Sequence, residues 1–297
     1  MRYTLRQLEI FLATAQQENL TKAAESLAMS QSAASGALKE LESQFDLSLF
    51  DRVGKRLQLN DVGRSLQAKA EALVERAQEL ENLLANKSNS ISLKLGATLS
   101  IGNYLTVPMI RQFLDDNPDA RVNVEVANTE TIAHKIAHFE LDVGLIEGEI
   151  NNPDLEVSPW LRDELCVFCS PSHPIAKKKT ITDDDLLEAS WVLRESGSGT
   201  RQTFNRAMHD LLPKLNVLLE LQHTEAIQRA VEQGLGIGCL SKITLKDAFE
   251  RGSLIPITVK NRDFKRWLYI IIHKRKYKSE GIKQWLALCA DQELLDF

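Results

Sequence analysis

Apolar positions recur at steps of three and four from the start of the chain, which predicts a helix over 4–17. Leu5, Leu8, Phe11, Leu12 and Ala15 lie on one side of it. Two shorter periodic runs follow, Ala23, Ala24 and Leu27, then Ala34, Leu38 and Leu41, joined by a turn through Met29. Thr21 and Ser30 stand ahead of these runs, where a side-chain oxygen can accept from an unpaired amide of the first helical turn. The small alanines let two helices cross closely. The run FDRVGKRLQL, centred on Gly54, predicts a hairpin. After it, Asn60 can cap a long helix reaching about Ala85. Leu66, Ala70, Leu73, Ala77, Leu80 and Leu84 recur along it as an a/d seam, the spacing by which two helices bury a shared stripe.

The period changes after a polar break, NKSNS, at 86–90. Strand-like ISLKLGA, ARVNVEVA and DVGLIE alternate with helices around 102–116 and 130–139. ELCVFCS, WVLRE, VLLEL and GIGCL alternate with helices near 183–188, from Thr200 and from Thr224. WLYIIIH (267–273) and a last helix over 279–290 return to complete the first part. This alternation predicts α/β units built on mostly parallel strands. The expected fold is α/β with an N-terminal all-α winged helix-turn-helix and a long linker helix. The expected segments are 1–59, 60–90 and 91–297.

If Ala34, Leu38 and Leu41 face inward, Gln31, Ser32, Ser35, Gly36 and Lys39 form the exposed edge of the second short helix. Gln pairs bidentately with adenine, and Ser donates or accepts less selectively. Gly36 costs roughly 1 kcal/mol against Ala in a helix but permits close approach. Arg52, Lys55 and Arg56 surround Gly54 as a wing suited to phosphates, which position a protein without reading sequence. With Thr21 at the start of the preceding helix, these are the candidate contacts to double-stranded DNA. Two paired copies would present two reading helices to a two-fold-related site.

Charge adds a restriction. The chain carries a formal charge of −5, and residues 1–58 hold seven bases against seven acids. Attraction to DNA must therefore come from where the bases sit. Cys166 and Cys169 form a CxxC within a strand-like run, where residues three apart face opposite ways, so two buried structural thiols are expected there rather than a metal or disulfide site. His134 and His138 lie opposite the stripe of Ile132, Ile136 and Phe139 and read as a solvated pair. No metal site and no cofactor is called for. No apolar run reaches membrane-spanning length, and MRYTLRQLEI lacks the pattern of a secretory signal, so a cytoplasmic protein with no membrane partner is expected.

Three strand-to-helix junctions are rich in hydroxyls: ATLSIGN with Thr98 and Ser100, RESGSGTR with Ser196, Ser198 and Thr200, and HTEA with Thr224 as a cap. Helix starts of this kind favour a small anion. Glu147, at a strand end, would repel a fully ionised one and is suited to a ligand's donor group or a water. Arg201 suits either charge neutralisation or the helix exterior.

The run LRQLEIFLATAQQENLTKAAESLAMSQSAASGALKELESQFDLSLFDR resembles the LysR-type transcriptional regulators. GATLSIGNYLTVP, DVGLIEG and LRESGSGTR are similar to the branch containing the CysL-like and YeiE-like regulators. Ser32 departs from a common Pro, Gly36 and Ala37 from common Arg or Lys and Gln, and Asn60 from a common Thr. The first two departures bear on the operator sequence. The resemblance implies a periplasmic-binding-protein-like effector domain with a cleft between lobes, lobe I at about 91–162 and 267–297, lobe II at about 163–266. It also implies a homotetramer built as a dimer of dimers, and a sulfur oxyanion (sulfite or sulfate) as effector, with a small carboxylate as the alternative. A metabolic enzyme with an appended DNA-binding segment is the rival of another class. Against it, the chain has no GxSxG elbow and no lysine-bearing phosphate loop.

Overall fold

The computed structural model describes residues 2–84 and 91–292; the break expected at 86–90 lies outside them. Three helices open the chain: α1 (Leu5–Gln17), α2 (Leu20–Ser26) and α3 (Gln31–Gln44). Thr4 caps α1 in a reciprocal box with Gln7. The cap of α2 is Asn19, not Thr21. Asn19 Oδ1 accepts from the amides of Thr21 and Lys22 at 2.9 and 3.1 Å, which leaves Thr21 exposed within the first turn. Two polar candidates two residues apart are ambiguous in sequence, and the amide oxygen of Asn wins because the backbone is extended at residue 19. Ser30 caps α3 as expected, accepting from the Ala33 amide at 3.2 Å.

Leu8, Phe11, Ala24, Ala34, Leu38 and Leu41 pack these helices together with Ile10 and Leu49. Beyond the end of α2 the chain turns at Ala28, φ 53°, where Met29 N donates to Ala24 O and Ala28 N to Glu25 O, the bonding of a Schellman cap. β1 (Phe50–Val53) and β2 (Arg56–Leu59) pair antiparallel, Val53 opposite Arg56, so Gly54 and Lys55 make a two-residue turn. Gly54 sits at φ 63°, as such a turn requires. Asn60 then caps α4 (Asp61–Leu84) through the Gly63 amide. Along α4 the expected seam divides. Ala70 is buried in the N-terminal core, while Leu73, Leu80 and Leu84 are 42%, 57% and 78% exposed.

The remainder builds one nine-stranded mixed sheet in the order β4-β3-β5-β11-β6-β9-β7-β8, with β10 beside β6. The strands are β3 (Ser92–Ala97), β4 (Arg121–Val126), β5 (Val143–Ile146), β6 (Leu155–Cys169), β7 (Ser190–Arg194), β8 (Asn216–Leu221), β9 (Ile237–Ser241), β10 (Ile255–Ile257) and β11 (Lys265–His273). β3 runs parallel to β4 and β5, and β7 to β8 and β9. β6 and β11 run antiparallel to each other, β11 also to β5, and β6 also to β9 and β10. The sheet is therefore half antiparallel, not mostly parallel. The chain leaves the first lobe along β6 and returns along β11, and an outward and a return strand side by side must oppose. The first half of β6, LEVSPWLRD, escaped the pattern because Pro159 and charged residues interrupt its apolar alternation.

Each lobe has its own core. Leu93, Leu95, Trp160, Leu161, Leu268 and Trp285 belong to lobe I, and Leu165, Val167, Trp191, Phe204 and Phe264 to lobe II. The change of core falls between Leu161 and Leu165 on β6, and between Phe264, just ahead of β11, and Leu268 on it. The helices are α5 (Leu99–Ile101), which continues through a π turn (Gly102–Thr106) into α6 (Val107–Asp116), α7 (Thr129–Ala137), α8 (Asp183–Glu188), α9 (Gly199–Ala207), α10 (Thr224–Glu232), α11 (Lys242–Glu250) and α12 (Glu280–Gln292). Cys166 packs beside Phe168 and Cys169 beside Val167, in different cores, and all four cysteines are buried and outside any disulfide. His134 and His138 stack in the open with ring centroids 4.1 Å apart.

Candidate functional site

The polar edge of α3 lies where the packing of its other face puts it. Gln31, Ser32, Gly36 and Lys39 are exposed and Ser35 is half-buried. Ser30 and Ser32 share a hydroxyl contact of 3.1 Å, and a methyl built on Gly36 meets nothing within 4 Å. Arg52 and Lys55 are exposed at the tip of the hairpin. Arg56 makes an exposed ion pair with Glu18 at 3.3 Å, and the Leu57 amide donates to Glu18 O at 2.9 Å. The end of α1 thus fixes the wing relative to α3. Sequence reasoning passed over Arg6, which donates to Leu27 O at 2.8 Å and ties α1 to the turn between α2 and α3.

The second candidate lies between the lobes. Glu147 follows β5 and is buried. Its Oε1 accepts from the Ser100 amide at 2.9 Å, and its Oε2 accepts from the Thr200 hydroxyl at 3.0 Å and from Arg266 Nη1 at 3.2 Å. Arg266 Nε donates to Asp163 Oδ2 at 2.7 Å, and the Ser241 hydroxyl to Asp163 Oδ1 at 2.8 Å. One network therefore joins lobe I, both hinge strands and lobe II. Burial would push the Glu147 carboxyl up. The guanidinium groups of Arg266 and Arg194, with the bonds from Ser100 and Thr200, outweigh it and hold the carboxyl below its ordinary value. Glu147 is therefore an ionised internal partner, and it already occupies the Ser100 amide.

Three helix starts carry buried hydroxyls with no bond among the described residues, those of Thr98, Thr129 and Thr224. Thr98 precedes α5, while Thr129 and Thr224 begin α7 and α10. Thr224 was expected to cap its helix, but His223 holds that position and makes no side-chain bond. The Thr224 hydroxyl is thereby left unpaired inside. Ser198 does cap α9, accepting from the Arg201 amide and donating to Glu195 O, so its hydroxyl is committed. Ser196 stays exposed on the rim of a cavity of about 340 Å³ shared with Thr129, Glu130, Arg201 and Gln202. The Arg201 guanidinium is spent on Arg194 O at 2.8 Å and Glu220 at 2.7 Å.

The lobes touch at the mouth of this cavity. A methyl built on Gly199 would fall 2.3 Å from Gly148 N, so only glycine admits the contact. Gln202 clasps the Glu149 backbone from both sides, accepting from its amide at 2.8 Å and donating to its carbonyl at 3.2 Å. Sequence reasoning missed Thr129, Asp163, Arg194, Gln202, Ser241 and Arg266. A usable signal existed for Arg266 alone: a second cation beside Lys265, entering the apolar run WLYIII.

A helix-turn-helix and wing, joined by a long helix to a two-lobed sensor, define a ligand-responsive DNA-binding regulator. The chain belongs to the LysR family of bacterial transcriptional regulators. Residues 5–64 match the model for bacterial regulatory helix-turn-helix proteins of the lysR family, and residues 86–293 match the LysR substrate binding domain. It is 39% identical over 289 residues to the uncharacterized HTH-type transcriptional regulator YeiE of Escherichia coli, covering 97% of this chain and 98% of that one. It is 30% identical over 268 residues to the HTH-type transcriptional regulator CysL of Bacillus subtilis, covering 89% of each. A full-length OxyR variant from Pseudomonas aeruginosa superposes with a TM-score of 0.71 at 24% identity, covering 99% and 96% of the two chains. Among the described residues, no helix is long and apolar enough to cross a membrane, and no group of three or more His, Cys, Asp or Glu side chains is placed to hold a metal ion.

Proposed function

We propose that this regulator reports a small anionic metabolite to promoter DNA. The observation that carries the reading is the set of three buried Thr hydroxyls, 98, 129 and 224, without partners at three helix starts. A buried hydroxyl left unbonded costs about 1–3 kcal/mol, and a ligand with several acceptor oxygens offsets that cost. The helix dipoles add to the attraction. Ser100, Ser196, Ser198, Thr200 and Glu147 belong to the site in this reading, with Glu147 and Arg266 as its fixed charged floor. Sulfite or sulfate is the first candidate. A small carboxylate is the second, since hydroxyls and amides serve its oxygens as well.

Residues 1–59 act as the DNA-binding domain, 60–90 as linker and 91–297 as sensor. Gln31, Ser32, Ser35 and Gly36 face the major groove. Thr21, Lys39, Arg52, Lys55 and Arg56 meet phosphates. The exposed Leu73, Leu80 and Leu84 support a homodimer through α4, and two dimers assemble into a tetramer. The site of action is the cytoplasm, and no turnover of the effector is involved.

A thermal-shift panel of sulfite, sulfate, phosphate and small carboxylates tests the reading. One class should raise the melting temperature, because a ligand that binds the folded state stabilises it. Thr98→Ala should lose that response while retaining DNA binding. A panel without any shift, or a full response in the Thr98→Ala protein, would overturn the assignment. Consumption of a responding compound would favour an enzyme instead.

A further inference from the structure

The seam accounts for one side of α4. Gln67, Glu71, Glu75 and Glu79 follow one another at four-residue steps, and at 3.6 residues per turn they fall on the opposite side. Like charges so spaced repel along an isolated helix. In the structure this row lies against lobe I. Lys276, between β11 and α12, is buried and places Nζ 3.3 Å from Glu71, 2.5 Å from Glu75 and 2.9 Å from Asp142. Asp142 also accepts from the Lys94 amide at 2.7 Å. Tyr277 donates its hydroxyl to Glu79 at 3.0 Å beneath the Arg76 guanidinium, and Gln67 donates to His138 O at 3.5 Å.

Three carboxylates thus meet one buried ammonium, and Glu75 Oε2, the inner oxygen of a part-exposed side chain, has no hydrogen-bond partner among the described residues. An excess of buried negative charge is costly, and a proton is the simplest remedy. Burial pushes the Glu71 carboxyl up to about 7; Lys276 and Lys94 oppose this and Glu75 adds to it. Burial also raises Glu75, with Asp142 adding and Lys276 and Lys94 opposing. Burial would lower Lys276, but Asp142, Glu71 and Glu75 together hold it above its ordinary value. His273, whose ring lies 4.0 Å from that of Phe139, is pushed down by burial and by Arg275 and Lys276, and its Nδ1 accepts from the Arg275 amide.

We propose that the linker helix docks on lobe I of its own chain through a proton-bound joint. One proton is held between Glu71 and Glu75 when the helix is docked, and its loss releases the helix. The posture of the N-terminal arm then follows pH as well as ligand. The reading of that arm as DNA-binding supplies only the consequence; the joint itself is tested directly. Undocked, Glu71 returns to water and to its ordinary value of 4.5, against about 7 when docked. The docked form binds the extra proton, so docking is strongest below the lower value. It weakens by up to about tenfold per pH unit between the two and levels above the higher.

The four native thiols are buried, so spin labels can be directed to cysteines introduced in the full-length chain at Ser43 and Asp119, both exposed. Labelled chains diluted with unlabelled ones report the distance from arm to lobe I by pulsed electron resonance. The docked distance should dominate at pH 5.5 and lose population to a second, longer distance by pH 7.5. Glu71→Gln should keep the docked distance at both, and Lys276→Gln should lose it at both. One distribution in the wild type at both pH values, or a Glu71→Gln response equal to the wild type, would overturn the proposal. So would a His138→Asn variant that abolished the response, since a histidine would then be the proton carrier. Should Glu71→Gln fail to fold, Glu75→Gln serves in its place with the same expected outcome.

Discussion

Removal of the Arg266 guanidinium would strand two carboxylates inside the protein. Arg266 ion-pairs with Glu147 at 3.2 Å and Asp163 at 2.7 Å, and all three side chains are buried. Breaking such a pair from one side costs about 3–5 kcal/mol, so Arg266→Met should lose that much in a urea titration. The pH dependence should change sign as well. In the wild type Glu147 is held below its ordinary value, and its contribution is present above that value and lost on acidification. Without the guanidinium, burial is the dominant influence left on Glu147 and raises it, so the variant should gain stability as pH falls. A variant whose stability still declined on acidification would remove Glu147 from the centre of the network. At this scale, hydroxyls ahead of helices were visible in the sequence because caps and ligand donors use the same residues. For the same reason cap and donor could not be separated: Ser198 spends its hydroxyl on the cap, while Thr224 keeps its own free. Asp163 and Arg266 lie 103 positions apart and meet only because two strands return past each other.

Elements were easier to foresee where one face is buried and the other wet. The first three helices, the hairpin and α4 all stand within a few residues of their expected places, because a 3.6-residue period needs no distant partner to declare itself. β6 was harder, since its pattern belongs to two different cores in succession. α4 is the instructive case. Its leucine seam was legible, but the use of the acidic row behind it showed only where lobe I supplied Lys276. The seam makes a separable prediction. Leu73→Glu combined with Leu80→Glu should leave the monomer folded, because both side chains are already exposed. Sedimentation should then show dissociation, and operator affinity should fall when two arms no longer act together. An unchanged oligomer would place the pairing elsewhere.

At the scale of the molecule, composition alone concealed the DNA-binding end, since seven bases are matched by seven acids over residues 1–58. What organises the molecule is coupling. A ligand that prefers one arrangement of lobes must shift whatever those lobes hold, and lobe I holds α4 through the Lys276 cluster. Saturation with effector should therefore alter the protected length or the bend of operator DNA, read by footprinting and by circular-permutation mobility. Identical footprints with and without a bound effector would break that chain of coupling.

The passage of β6 and β11 between the lobes has one more implication. Chain enters and leaves lobe II by neighbouring strands that are bonded to each other, so lobe II is an insertion carried on a single ribbon. Such a ribbon twists more readily than it stretches. Its register slips between Trp267 and Tyr269, beside Arg266. A rotation of lobe II would pivot at that irregularity, within a residue or two of the guanidinium that touches Glu147.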